Sequence, residues 1–348
     1  MKKTILIRGG YYSTNIGNAF YIKGAEYLLG KICPEFRIVT ASDHPNYFWN
    51  GMLGNESSFL DYASYVECEY LVLLGPMLDC DYPKMFRKVY EKLDLNKTKI
   101  LLLSAGSGLY SQEEEDIVKS FLQEYPHYAL CTRDRETYER YHDCFEKSYD
   151  GICFALFANE YAPKYKIDIA DYIVLNYDFT PEPSFLSNSS VFDVGKIDNS
   201  FVPINDLAII KNKSSNNLVN KIQSHFGMYD GGSDTLNKYK IIRTIHTCMP
   251  EASIRNSNKK NVYLSDVATD YLNIYANACC TFTDRLHAAV ACLSYGTPVY
   301  LQLNSSRCNL LKRLNAEKSL EGLFTMDSDF LTKEKSNMES FLKSLFNV

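Results

Sequence analysis

The stretch Cys279-Cys280-Thr281-Phe282-Thr283-Asp284-Arg285-Leu286-His287-Ala288-Ala289-Val290-Ala291-Cys292-Leu293-Ser294-Tyr295-Gly296-Thr297-Pro298-Val299-Tyr300-Leu301-Gln302-Leu303 holds a whole strand–helix–strand unit. Cys279–Phe282 is a short apolar run of the length and kind that buried strands have. From Asp284 to about Tyr295 the residues are small and apolar, which predicts a closely packed helix. Gly296 marks its C-terminus and Pro298 opens a second strand, Val299–Leu303. Strands that alternate with helices in this way predict a parallel sheet.

The same alternation extends to both sides. Thr4–Ile7 reads as a strand, followed by the loop Gly9–Asn15 and a helix from about Ile16 to Leu29 that ends at Gly30. Arg37–Thr40, Tyr70–Leu74, Ile100–Ser104 and Tyr128–Thr132 are further strands. Mixed-charge Pro83–Leu93 and amphipathic Glu113–Glu124 are the helices between them, the second with an acidic first turn that suits its dipole. The pattern lapses around Ala158–Lys166, and Tyr172–Tyr177 begins a second series. Residues 178–217 read as surface loops around one or two short strands. Helix Leu218–Phe226, strand Lys240–Ile245, helix Val267–Asn277 and a last helix, Lys333–Leu345, complete the reading. With 348 residues, two α/β domains are expected. Their predicted spans are 1–165 and 166–325, with a closing helix over 326–348 placed to pack back on the first.

Apolar residues make up 46% and charged residues 23% of the chain, which is ordinary globular usage. Lys and Arg number 37 against 42 Asp and Glu, a net charge of −5 that argues against general nucleic-acid binding. No apolar stretch approaches the roughly 18 residues of a membrane helix, and the N-terminal apolar run is too short for a secretory signal. Eleven cysteines form no Cys-x-x-Cys pair, so reduced, buried thiols and a cytoplasmic protein are expected. Six histidines show no ligand spacing, and no metal site is expected. Twenty-seven tyrosines accompany a single tryptophan.

Two glycine loops follow predicted strands, where a helix N-terminus can hold an anion. Gly9-Gly10-Tyr11-Tyr12-Ser13-Thr14-Asn15-Ile16-Gly17 and Gly106-x-Gly108 both miss the spacing of a dinucleotide fingerprint. Arg285 and His287 stand at the carboxyl end of a parallel strand and the start of a helix, the usual ligand position of open α/β sheets. Together with the helix terminus they predict an anion site.

These residues resemble the polysaccharide pyruvyl transferase family. Arg285-Leu286-His287 is similar to its Arg-Leu-His motif, with Gly296-Thr297-Pro298-Val299 nine residues past the histidine. Gly10–Gly17 resembles the family's opening Asn-x-Gly-Asp loop, Arg133-Asp134-Arg135-Glu136-Thr137 its Arg-Asp-Glu-x-Ser turn, and Asp150-Gly151-Ile152-Cys153-Phe154 its Asp-Pro-x-Phe element. The likeness spans roughly residues 5–315. Departures are Asn18 in place of Asp, and Leu74-Gly75-Pro76 where a glycine triplet is common.

The resemblance implies a GT-B-like fold, two Rossmann-like domains facing across a cleft. It also implies transfer of pyruvate from phosphoenolpyruvate onto two hydroxyls of a sugar, as a cyclic ketal. By motif the donor residues are Arg133, His287 and Arg307, the last where the family commonly has Lys, with Arg285 supporting the site. Arg is suited to a carboxylate and a phosphate because its planar fork meets either bidentately. His287 would contact the phosphate or protonate the methylene carbon. Asp79, Asp150 and Asp284 are the candidate bases for the sugar hydroxyls. Tyr11 and Tyr12 offer rings to the acceptor, with Asn15 and Gly17 shaping that loop. No cofactor is expected. The partners are phosphoenolpyruvate and a sugar or lipid-linked oligosaccharide, met at the inner membrane face by a chain that does not span it. The rival readings are a GT-B nucleotide-sugar glycosyltransferase, against which helix 288–295 carries no acidic residue, and a degenerate ligand-binding member of the family.

Overall fold

A computed structural model describes residues 2–9, 15–42, 65–187, 199–202, 207–210, 234–236, 239–247 and 256–347. The chain divides into two compact units. One comprises residues 1–161, 304–316 and 327–348, and the other residues 162–303 and 317–326.

The first unit runs β1 (Thr4–Gly9), α1 (Gly17–Ile32), β2 (Arg37–Ser42), β3 (Tyr70–Leu74), α2 (Tyr82–Tyr90), β4 (Lys99–Ala105), α3 (Gln112–Glu124), β5 (His127–Thr132), α4 (Arg135–Tyr141), β6 (Phe145–Tyr149) and α5 (Ala158–Tyr161). Its sheet has the order β2-β1-β3-β4-β5-β6, parallel throughout. The central strands are buried over nearly their whole length, as a sheet covered on both faces requires. Leu71, Leu73 and Leu102 pack against Phe86, Val118 and Phe121 of the covering helices.

Two expectations need correction here. Gly30 does not end α1, which continues to Ile32. A side chain at Gly30 would meet nothing, so backbone entropy is its only penalty, and burial of Leu29, Ile32 and Cys33 carries the helix on. Strand β6 was not expected, because its alternation is weak. It is a half-exposed edge strand, Phe-Glu-Lys-Ser-Tyr.

The second unit contains β7 (Tyr172–Asn176), β8 (Ser184–Ser187), β9 (Asn199–Val202), β10 (Leu207–Ile210), β11 (Thr235–Leu236), β12 (Tyr239–Thr244), β13 (Val262–Tyr263), α6 (Ala268–Asn277), β14 (Cys280–Thr283), α7 (Leu286–Tyr295) and β15 (Val299–Leu301). Its main sheet has the order β11-β12-β7-β14-β15, with β13 beside β12. All pairs are parallel except β11 with β12. Strands β8, β10 and β9 form a separate antiparallel sheet, three strands where one or two were expected. The predicted helix Leu218–Phe226 lies outside the described residues. Gly296 closes α7 with a left-handed φ of 69°, a conformation that glycine adopts without strain.

Among the described residues, α8 (Asn309–Arg313) and α9 (Ser328–Phe346) follow and belong to the first unit. The chain is therefore an α/β protein of two parallel-sheet units. In the first unit β1 is flanked by β2 and β3, and in the second β7 is flanked by β12 and β14. Loops leave the neighbouring strands in opposite directions there, and the sheet opens a crevice at its carboxyl edge. In the second unit that point lies between β7 and β14.

Candidate functional site

In the second unit, the residues after β7, β12 and β14 converge on Arg285. Helix α7 begins from extended backbone at Arg285, and Thr283 Oγ1 accepts the Arg285 N–H at 2.8 Å. Arg285 is 7% exposed. Its Nε lies 3.5 Å from Asp178 Oδ2, and its Cζ lies 4.2 Å from the centre of the Phe179 ring. Among the described residues, Nη1 is buried without an acceptor. Burial pulls the Arg285 pKa down, against the raising effect of Asp178 and then Asp284.

Asp178 Oδ2 also accepts the backbone N–H of His246 at 3.0 Å. The His246 ring pairs its Nε2 with the Tyr275 hydroxyl and meets Tyr271 edge-on, centroids 5.2 Å apart. Burial, followed by the charges of Arg285 and His287, holds its pKa well below the usual imidazole range, so the ring is neutral. His287, half-buried, stands in the first turn of α7. The structure thus brings Arg285 and His287 together and adds Asp178, Phe179 and His246, which the sequence reading did not single out. Position was their only signal: each follows a parallel strand.

Asp284 is no base. Its two oxygens accept the backbone N–H groups of Asp178, Phe179 and Thr180 at 3.1, 2.8 and 2.7 Å, plus the Thr180 hydroxyl at 3.0 Å. That carboxylate fixes the loop beneath Arg285.

In the first unit, Arg133 follows β5 and is 1% exposed. Its N–H donates to the Ala105 carbonyl at 2.9 Å. Among the described residues, neither Nε nor Nη2 has an acceptor. These two nitrogens form the side-on fork that matches a carboxylate or phosphate. Gly106 makes the arrangement possible, because a Cβ there would lie 2.7 Å from Nε and 3.2 Å from Nη2. Just before it, Ser104 has a φ of 54° at a break in the β4–β5 register, and its Oγ accepts the Phe154 N–H at 3.1 Å.

The turn after Gly106 is held by Glu114, fully buried, whose carboxylate accepts the Leu109 and Tyr110 N–H groups at 2.8 and 3.0 Å. Arg307, expected with the second domain, lies exposed in residues 304–316 of the first unit. The neighbouring Ser306 hydroxyl donates to the Gly108 carbonyl at 2.7 Å.

Asp150 is engaged by Arg135 at 3.3 Å and Arg313 at 3.2 Å. Asp79 sits at a turn, where burial raises its pKa. Asn15 Oδ1 accepts the Gly17 N–H at 3.1 Å, which shapes the start of α1. Tyr11 and Tyr12 lie outside the described residues. Among the described residues no group of three or more His, Cys, Asp or Glu could hold a metal ion, and no helix is long and apolar enough to cross a membrane.

A model of the polysaccharide pyruvyl transferase family matches residues 15–305. Among curated proteins, none matches the chain. Solved structures share its fold at low identity. MnaA of S. aureus, in a co-structure with UDP, superposes with a TM-score of 0.51 at 10% identity, covering 98% of this chain and 97% of that one. UDP-N-acetylglucosamine 2-epimerase from Rickettsia bellii gives 0.51 at 11% identity, over 99% and 96%. The likeness supports the two-domain, GT-B-like fold class.

Proposed function

The chain belongs to the polysaccharide pyruvyl transferase family, and from that premise we propose that it transfers the pyruvyl group of phosphoenolpyruvate to a sugar. The acceptor is a sugar residue of a cell-surface glycan or of its lipid-linked precursor. Arg285 and His287 at the start of α7, with Arg285 Nη1 buried and without an acceptor among the described residues, carry this reading. An anion at that point would meet a guanidinium, an imidazole and the positive end of a helix dipole.

The chemistry follows from the donor. A proton delivered to the methylene carbon makes C2 electrophilic, and one sugar hydroxyl adds there. Phosphate then leaves as the second hydroxyl adds, which closes the ketal. The two hydroxyl protons are balanced by the one gained at the methyl group and the one that leaves on hydrogen phosphate. His287 is the proposed acid. Arg285 holds donor charge in the second unit, and Arg133 and Arg307 are the proposed donor-binding residues of the first. Asn15 and Gly17, with Tyr11 and Tyr12, form the acceptor-side loop. No cofactor is needed, because the enol phosphate supplies the driving force. We place the reaction in the cytoplasm, at the inner membrane face where a lipid-linked acceptor is available.

Phosphate release from phosphoenolpyruvate, measured across a panel of acceptor glycans, tests the reading. His287→Ala should lower kcat by about 100- to 10,000-fold, the usual share of a general acid, with an unchanged melting curve. In thermal shift, phosphoenolpyruvate at a hundredfold excess over its Kd should stabilise the chain by about 2.7 kcal/mol. A response to UDP or GDP without one to phosphoenolpyruvate would favour a nucleotide-sugar transferase. Retained turnover in His287→Ala would remove the acid role.

A further inference from the structure

We propose that Phe179 is a positioning residue for Arg285: its ring holds the guanidinium so that Nη1 faces the anion, and thereby sets the affinity of the second unit for its anionic donor. This deepens the reading above and rests on it. Phe179 is 61% exposed, so packing into the core does not explain where it lies. The backbone does, since its N–H donates to Asp284 Oδ2 at 2.8 Å, between matching bonds from Asp178 and Thr180. With the loop pinned, the ring faces the guanidinium, 4.2 Å from Cζ to the centroid. That is well within the distance at which the ring quadrupole attracts a cation.

Asp178 alone would hold Arg285 poorly. Among the described residues, its one ion-pair contact, 3.5 Å at Nε, leaves the angle of the planar head about that contact unset. The aromatic face sets that angle and shields one side of the charge from water, which strengthens the field at Nη1. The loop 178–180 follows β7, and Arg285 follows β14, the two strands at the switch point of the sheet. Ring and cation therefore meet where the fold places its ligand.

The test uses the full chain and three variants, Phe179→Leu, Phe179→Tyr and Phe179→Trp. Binding of phosphoenolpyruvate, UDP and inorganic phosphate is measured by calorimetry, and KM and kcat by phosphate release. In Phe179→Leu, affinity for phosphoenolpyruvate should fall about 3- to 30-fold, the range of a cation–π contact from exposed to desolvated. KM for the donor should rise by the same factor, with kcat and the melting temperature unchanged. Phe179→Tyr and Phe179→Trp, which keep a ring, should restore tight binding.

Wild-type affinity in Phe179→Leu, or equal loss in all three variants, overturns the role of the ring. A change in kcat or stability without a change in donor KM does so too, since it reports an ordinary structural residue. If the wild-type chain ignores phosphoenolpyruvate but binds UDP or phosphate, and Phe179→Leu weakens that binding, the donor assignment falls while the positioning role stands.

Discussion

At the scale of single residues, Gly106 shows how a backbone position can govern a charged one. The Arg133 guanidinium lies where a β-carbon at Gly106 would sit, 2.7 Å from Nε. Gly106→Ala must therefore displace the fork. Overpacking of this kind destabilises by about 1–3 kcal/mol, and donor binding by calorimetry should weaken along with it. Gly30→Ala is the matched control: nothing crowds the added methyl group, and chemical denaturation should show a gain of about 0.5–1 kcal/mol. A Gly106→Ala variant with wild-type donor affinity would show that the fork is not used. Arg285 and His287 were legible in the sequence because one motif at one helix start carries both. Asp178 and His246 were not, because they reach Arg285 from loops that lie far from it in sequence. Only the strand order brings them there. The partners of Asp284 were hidden for the same reason: the backbone groups of residues 178–180 are invisible from its own surroundings.

At the scale of elements, the alternation of strand and helix was legible wherever burial enforces it. It failed where the edge strand β6 is half-polar. The start of α3 was legible as well, in an acidic first turn, yet the structure uses it in an unforeseen way. Ser111 Oγ accepts the Glu114 N–H at 3.2 Å, one half of a capping box. The Glu114 carboxylate turns outward to the Leu109 and Tyr110 N–H groups instead of the cap. Strand β5 begins with a second buried polar device. His127 bonds through Nε2 to the Tyr82 and Tyr90 hydroxyls, at 2.7 and 3.2 Å, and through Nδ1 to the Tyr125 carbonyl. Burial lowers its pKa from 6.5 to about 4. Between those values the unfolded chain binds the proton and the folded one does not, so stability is complete above pH 6.5 and falls on acidification toward pH 4. A shift of that size corresponds to about 3 kcal/mol. Urea unfolding at pH 7.5 and 4.5 should show the loss, and His127→Gln should flatten that pH slope whatever it does to absolute stability. An unchanged slope in the variant would assign the acid sensitivity to other groups, His246 first, whose pKa is displaced in the same direction.

At the scale of the whole molecule, the order in which the chain is made and the order in which its units close differ. The first unit takes in the N-terminal residues but also 304–316 and 327–348, so its last parts are synthesised after nearly all of the second unit. The closing helix α9 is no ornament. It buries Leu331, Met338, Leu342, Leu345 and Phe346, stacks Phe341 on Tyr149 with centroids 4.9 Å apart, and sets Phe346 edge-on against Tyr70 of β3 at 4.8 Å. Its ion pairs reach three other places in the unit: Lys31 to Glu339 at 2.6 Å, Lys335 to Glu160 at 3.0 Å, and Arg313 to Glu334. Each large apolar side chain contributes about 1.5–3 kcal/mol when fully buried. Five of them match the entire net stability of an ordinary domain, about 5–15 kcal/mol. Deleting residues 327–348 should therefore abolish the folding of the first unit and leave the second to unfold on its own. Scanning calorimetry should record the disappearance of one transition, and limited proteolysis should cut residues 1–161 while sparing 162–303. A truncated chain that keeps its full unfolding enthalpy would show that the parallel sheet closes its core without the helix.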